Sequence, residues 1–281
     1  MATSPTVRRR RLTAELCRLR DESGRTIEEV ADRTGISKSS LSRIENGVVG
    51  IKIPVLRALL VEYGVSGERA ASLEQLSKEA SLKGWWQSSG AAVLDGARTL
   101  IGLEAEASKV DDFSLAVIPG LLQTPRYAEA TIRASLPEAT TDAVASAVDI
   151  RMRRQARIGE LRFWTIIAEE AFVRPIGGAE AMNEQVAKLL EVSEMPQCRV
   201  QILGREEREH PGMAGPFAII SFGTPTEQSA VYLEGNRWDA CLEDDAEIEF
   251  HRLAYDNLRA LALSPKASQD RLLTLMKGFD Q

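Results

Sequence analysis

Reactive side chains are scarce in this chain, which has three cysteines and two histidines in 281 residues. Cys17, Cys198 and Cys241 are far apart, odd in number and without metal-ligand spacing, so neither a disulfide framework nor a zinc site is expected. His210 and His251 are too few for a metal set or a nucleophile–base pair, and no catalytic residue, metal or cofactor is expected. No apolar run approaches the roughly 18 residues of a membrane span. The run Arg8, Arg9, Arg10, Arg11 lacks the apolar stretch that an export signal would add after it. Gly177-Gly178 lacks the strand–GxGxxG–helix context of a nucleotide site and reads as a helix boundary. These absences point away from membrane, metal and nucleotide chemistry, toward a cytoplasmic protein that is not an enzyme.

Charge is unevenly placed. The net charge is −6, but residues 1–83 hold 15 Lys and Arg against 11 Asp and Glu, a balance of +4. The remainder carries −10. A basic N-terminal part on an acidic body suits docking to a polyanion, although the excess is modest.

The stretch from Thr26 to Gly47, TIEEVADRTGISKSSLSRIENG, carries the strongest local signal. Thr26 and Glu29 have the spacing of a capping box, and Ile27, Val30 and Ala31 share one helical face. Gly35 fits the left-handed position that ends a helix. Ser37 caps the next helix, Ile36 and Leu41 are spaced as a hydrophobic staple, and Asn46-Gly47 is the stop. Two short helices joined this way make a helix-turn-helix, whose second helix enters the DNA major groove. On that helix Leu41 and Ile44 share one side, while Ser39, Ser42, Arg43 and Asn46 face the other, with Lys38 flanking. Arg43 can donate two hydrogen bonds to a guanine edge. Ser37, Lys38 and Thr26, at the helix starts, suit phosphate oxygens, as does the run Arg8–Arg11. Leu12, Leu16 and Leu19 give the preceding helix a stripe, Pro54 stands in the first turn of a helix over 53–63, and residues 68–80 add a fifth helix.

EEVADRTGISKSSLSRIENG resembles the recognition region of the XRE-type, Cro/repressor-like helix-turn-helix family, over about residues 8–80. The resemblance implies a five-helix bundle that binds double-stranded DNA as a homodimer, with Ser37, Lys38, Ser39, Ser42 and Arg43 at DNA-facing positions. Where that family often carries glutamine, second in the first motif helix, this chain has Ile27.

Residues 81–99, with Trp85-Trp86 and Ser88-Ser89-Gly90, read as a junction between a domain over 1–80 and one over 100–281. Trp85 and Trp86 can form a contact patch or pack the domains together. Beyond the junction, a helix near 100–110 precedes a strand at 113–119, and Thr124-Pro125 starts another helix. A long helical pattern covers 142–159, with strands at 163–168, 199–203, 217–222 and 230–234, the last two forming a hairpin. Met182, Val186, Leu189 and Leu190 mark a helix, and helices near 245–262 and 268–278 complete the chain. Glu243, Asp244 and Asp245 read as solvated loop. The expected class is a mainly α five-helix N-terminal domain plus an α+β C-terminal domain with one mixed sheet of about five strands. The arginines at 151–157 can be a solvated helix face or a partner contact, with Arg151 and Arg154 as its candidates.

IPGLLQTPRYAEA (118–130), RMRRQARI (151–158), IIAEEAFVRPIGG (166–178), GPFAIISF (215–222) and LRALALSPKAS (258–268) together resemble actinobacterial WhiJ-like, antitoxin-like regulators. In these, an XRE-type domain precedes a domain without assigned chemistry. The resemblance spans roughly 85–280 and implies a regulator often encoded beside a small partner protein. The expected function is a sequence-specific, dimeric, cytoplasmic and nucleoid-associated transcription regulator, with a C-terminal sensing or protein-binding domain. An antitoxin-like module that chiefly binds a small protein, or an enzyme acting on a small molecule, are the alternatives.

Overall fold

The computed structural model describes residues 7–80, 95–223, 229–235 and 239–279. The chain divides into two compact units, Met1–Gly90 with Ala97–Leu103, and Ala91–Gly96 with Glu104–Gln281.

Among the described residues the first unit holds α1 (Val7–Glu22), α2 (Ile27–Thr34), α3 (Lys38–Glu45), α4 (Ile53–Glu62) and α5 (Gly67–Ala80), with residues 97–103 of a sixth helix, α6 (Asp95–Glu106). Each boundary follows from local chemistry. Thr26 and Glu29 form the expected capping box, and Gly35 ends α2 at φ 72°, where its N–H donates to the Ala31 carbonyl. Ser37 caps α3 by accepting from the Ser40 amide. Leu12, Leu16 and Leu19 of α1 are buried with Val30, Leu41, Ile44, Leu56 and Leu59, and Ile36 packs against them. Burying one such leucine contributes on the order of 1.5–3 kcal/mol.

The second unit is α+β, built on one mixed sheet of six strands: β1 (Lys109–Ser114), β2 (Arg162–Ala168), β3 (Cys198–Leu203), β4 (Phe217–Ser221), β5 (Ala230–Glu234) and β6 (Asp239–Leu242). Their order is β3-β2-β1-β4-β5-β6. The first three strands run parallel and the others pair antiparallel. Helix α6 (Asp95–Glu106) precedes β1, and α7 (Pro125–Ser135) and α8 (Thr141–Arg154) lie between β1 and β2. Helix α9 (Ala179–Ser193) connects β2 to β3, and α10 (Asp245–Leu261) and α11 (Pro265–Phe279) follow β6. On one sheet face Phe113, Ile166, Ile219 and Val231 pack against Ile248, Tyr255 and Leu258 of α10. Asp112 and Thr165 occupy alternate positions and so face the other way.

Three local expectations shift. The strand expected at 113–119 lies instead at Lys109–Ser114. Its Asp111-Asp112 pair disguises it, because aspartate disfavours strands. Tertiary partners make the pair tolerable: Asp112 accepts from Thr165 Oγ1 at 2.8 Å and Ser114 Oγ at 3.1 Å, and Asp111 meets Lys109 Nζ at 2.5 Å. The six-strand sheet gains β6, an edge strand of only four residues, too short to show a strand pattern. The acidic stretch at 243–245 is no plain loop either, since Asp244 caps α10 by accepting from the Ala246 amide at 3.0 Å.

Candidate nucleic-acid interface

Helix α3 is fixed on its inner side and open on its outer one. Leu41 and Ile44 are buried, while Ser37, Lys38, Ser39, Ser40, Arg43 and Asn46 are exposed and Ser42 is half-buried. Its last turn is anchored from α1, a feature that sequence spacing does not display. Thr13 Oγ1 donates to the Ile44 carbonyl at 3.3 Å, and Cys17 Sγ to the Glu45 carbonyl at 3.7 Å. Arg20 Nε meets Glu45 Oε1 at 2.8 Å. The first two contacts reach backbone carbonyls at the helix end, where intrahelical partners run out, and the third ties a side-chain carboxylate. Burial pushes the Cys17 thiol up to about 11, with the Glu45 carboxylate adding to it, so Cys17 acts as a packing group with little thiolate character.

The outer face differs residue by residue in how free it is. Arg43 is exposed, and its side chain has no ion pair or hydrogen bond among the described residues. Every other arginine described at 18–69 is engaged: Arg18 with Glu15 and Glu22, Arg20 with Glu45, Arg25 and Arg33 with Glu62, Arg57 with Glu74, and Arg69 with Glu15. Lys38 pairs with Glu28 of α2 and holds that carboxyl below its ordinary value. Asn46 donates its side-chain amide back to the Ser42 carbonyl at 2.7 Å. Ser37 is occupied in capping, with Ser39 Oγ 3.2 Å away. Thr26 is likewise held within its capping box. A free guanidinium among small hydroxyls is the arrangement that permits close approach and bidentate donation to a base edge.

The arginine run lies within α1 rather than on an extended arm. Arg8, Arg9 and Arg10 are half-buried in its first turns. The Arg9 guanidinium stands over Gly50, with Nη2 3.7 Å from where a Cβ would lie. The Arg11 side chain falls outside the description, as do Trp85 and Trp86.

Arg151 and Arg154, read from the sequence as part of either a solvated helix face or a partner contact, are placed inside the second unit. Arg154 makes a two-pronged ion pair with Glu104, at 2.7 and 2.8 Å, both side chains below 10% exposed. Arg151 donates to Gln123 Oε1 at 2.5 Å. Burial, and then the charge of Arg154, lowers its pKa to about 10. Both guanidiniums stand 3.7–3.8 Å from the place of an added Cβ at Gly120. Gln155 donates to the carbonyls of Gly120 and Gln123, and the Thr124 amide donates to Gln185 Oε1 at 2.8 Å. The PGLLQT segment and the arginine helix are thus two halves of one buried clasp. Charge clustering in the sequence gives no sign of this, because the acid that answers Arg154 is fifty positions away.

No group of three or more His, Cys, Asp or Glu among the described residues is arranged to hold a metal. No described helix is long and apolar enough to cross a membrane.

Two family models match the chain. One, described as a helix-turn-helix domain, covers residues 11–73. The other, described as a domain of unknown function (DUF5753), covers residues 97–274. No curated protein and no solved structure matches it.

Proposed function

The chain belongs to the DUF5753 family, and from that membership and its helix-turn-helix domain we propose a sequence-specific transcription regulator of the XRE type, WhiJ-like in organisation. It binds operator DNA as a homodimer, acts at the nucleoid in the cytoplasm, and works by binding rather than catalysis. The observation that carries this is Arg43, the unengaged guanidinium on the exposed face of a capped and anchored α3. Arg43 reads a base edge, with Ser39 and Ser42 beside it. Lys38 exchanges Glu28 for a phosphate, and Arg8 to Arg11 add backbone contacts, which position the protein without reading sequence. The second unit senses a signal or holds a small protein encoded nearby, and so shifts the population that binds DNA.

Selection from a genomic library tests the reading. The expected outcome is a preference of at least ~10³ for a discrete site over random DNA, the low end for specific binders. Equal affinity for all sequences would refute it. Neutralising Arg8–Arg11 weakens binding to all sequences alike and flattens its salt dependence.

A further inference from the structure

The two arginines of the clasp use their guanidiniums differently. Arg154 grips Glu104 with Nε and Nη2, the two-pronged edge of its fork, at 2.8 and 2.7 Å. Arg151 engages only the opposite corner. Its Nη1 donates to Gln123 Oε1 at 2.5 Å and to Thr131 Oγ1 at 3.3 Å, both neutral oxygens. Its own Nε–Nη2 edge has no partner among the described residues, and neither nitrogen is sealed from solvent. Arg151 is half-buried and lies beside the Arg154 charge, yet no described carboxylate forms an ion pair with it. Placing a charge in such surroundings is costly unless something pairs with it.

The surroundings keep that edge clear. Arg151 Nε stands 3.8 Å from where a Cβ at Gly120 would lie, so the glycine keeps side-chain atoms away from it. A second donor in reach of the Arg151 charge also lacks an acceptor. Tyr127 is fully buried, and its hydroxyl accepts from the Ile118 amide at 3.1 Å while its own proton meets no described acceptor. We propose that the Nε–Nη2 edge of Arg151 is a binding site for the carboxylate of a small organic acid, held as Arg154 holds Glu104. Two parallel N–H donors matched to two oxygens are the strong form of such a contact.

Charge selects the ligand class. The charges that bear on Arg151 are those of Arg154, Glu234 and Glu104. Glu104 is taken up by Arg154. Glu234, at the exposed end of β5, forms no ion pair among the described residues. Two guanidiniums against these two carboxylates leave no surplus of positive charge for a dianion. A planar, singly charged carboxylate therefore suits the fork better than a phosphate does.

Acid binding here does not depend on whether the chain reads DNA, so its failure and a failed library selection are told apart. Arginine Nε–H spectra of the full chain test it by NMR, without DNA, at neutral pH and fixed ionic strength, with sodium acetate as the probe. The Arg151 signal should shift saturably, with a midpoint on the order of millimolar for so small an acid. Chloride should leave it in place. Arg151→Lys keeps the charge and removes the fork. It should raise the acetate midpoint, read from thermal melting, by at least about tenfold. Glu234→Gln removes a repelling charge and should lower that midpoint about threefold. If Arg151→Lys does not fold, the titration of the native chain decides. An Arg151 signal that acetate does not move, equal shifts with chloride or phosphate, or an unchanged midpoint in Arg151→Lys would each overturn the site. So would a Glu234→Gln signal displaced before any acetate is added by as much as acetate displaces the native one, because Glu234 would then be the occupant of the fork.

Discussion

Arg43 and Arg154 occupy the same kind of sequence position, a basic residue near the end of a helix rich in polar side chains, and the two units treat them in opposite ways. In the first unit Arg43 is left exposed and unengaged while the other described arginines at 18–69 are tied to carboxylates. In the second, the denser basic cluster has Arg151 and Arg154 drawn inward against Gly120 and Glu104. The denser cluster is the structural one and the solitary residue is the candidate reader. Local positive charge is therefore a poor guide to a nucleic-acid contact, and whether a guanidinium has already been answered is a better one. Removing a buried partner costs far more folding energy than removing an exposed one, while the exposed one can be spent on a ligand.

The largest effect expected from this contrast is on stability. Arg154→Ala should destabilise the second unit by about 3–5 kcal/mol, because it strands the Glu104 carboxylate inside. Urea unfolding followed by circular dichroism measures it. The companion change Arg154→Met with Glu104→Leu should cost clearly less than Arg154→Ala alone. Equal losses would mean that the pair is not what the clasp depends on.

Asp112 gives the next effect, through pH. Burial raises its pKa from the ordinary carboxylate range to about 7, with Thr165 and Ser114 opposing the shift. The folded state thus holds the proton more tightly than the unfolded chain. The stabilisation is complete below the unfolded pKa and is lost as pH rises toward 7. Between pH 5 and 8 the native chain should lose about 2–3 kcal/mol that Asp112→Asn does not lose. Parallel denaturation curves at the two pH values show it, and identical pH slopes for both proteins would remove Asp112 from the account.

Arg43→Ala sharpens the other side of the comparison. It should weaken binding to the selected site by about 1–3 kcal/mol and relax preference at one base position. Its folding stability should stay within about 0.5 kcal/mol of native, as for an exposed unpaired residue. A uniform loss across all sequences would reassign Arg43 to the phosphate backbone.

The smallest effect belongs to the helix start that presents the motif. Thr26→Ala removes the cap of α2 and should cost about 1 kcal/mol of stability in the first unit. Its melting curve compared with that of Thr26→Ser, which keeps the oxygen, isolates the cap.

How much of this was legible in the sequence differs between the units for one reason. Helices α1 to α5 of the first unit are bounded by signals that act over three or four residues: the Thr26–Glu29 box, the left-handed Gly35, the Ser37 cap, and leucines at helical spacing. Their hydrogen bonds close within the segment that encodes them. In the second unit, β1 is hidden because its two aspartates are answered by Thr165 and Lys109. The end of the PGLLQT segment is held by Gln185, sixty-one residues away from Thr124. Within the candidate interface, the identity of the exposed residues on α3 was readable from periodicity. Its anchoring by Thr13, Cys17 and Arg20 was not.

The sequence by itself thus determined the helix-turn-helix, its caps and its polar face, together with a C-terminal α+β pattern and most of its elements, because short-range geometry suffices for each. Only the tertiary structure decided which arginines are interior and where the first strand lies. Those outcomes depend on partners distant in the chain. A side chain's type states what it can bond, and packing alone states whether something has already bonded it.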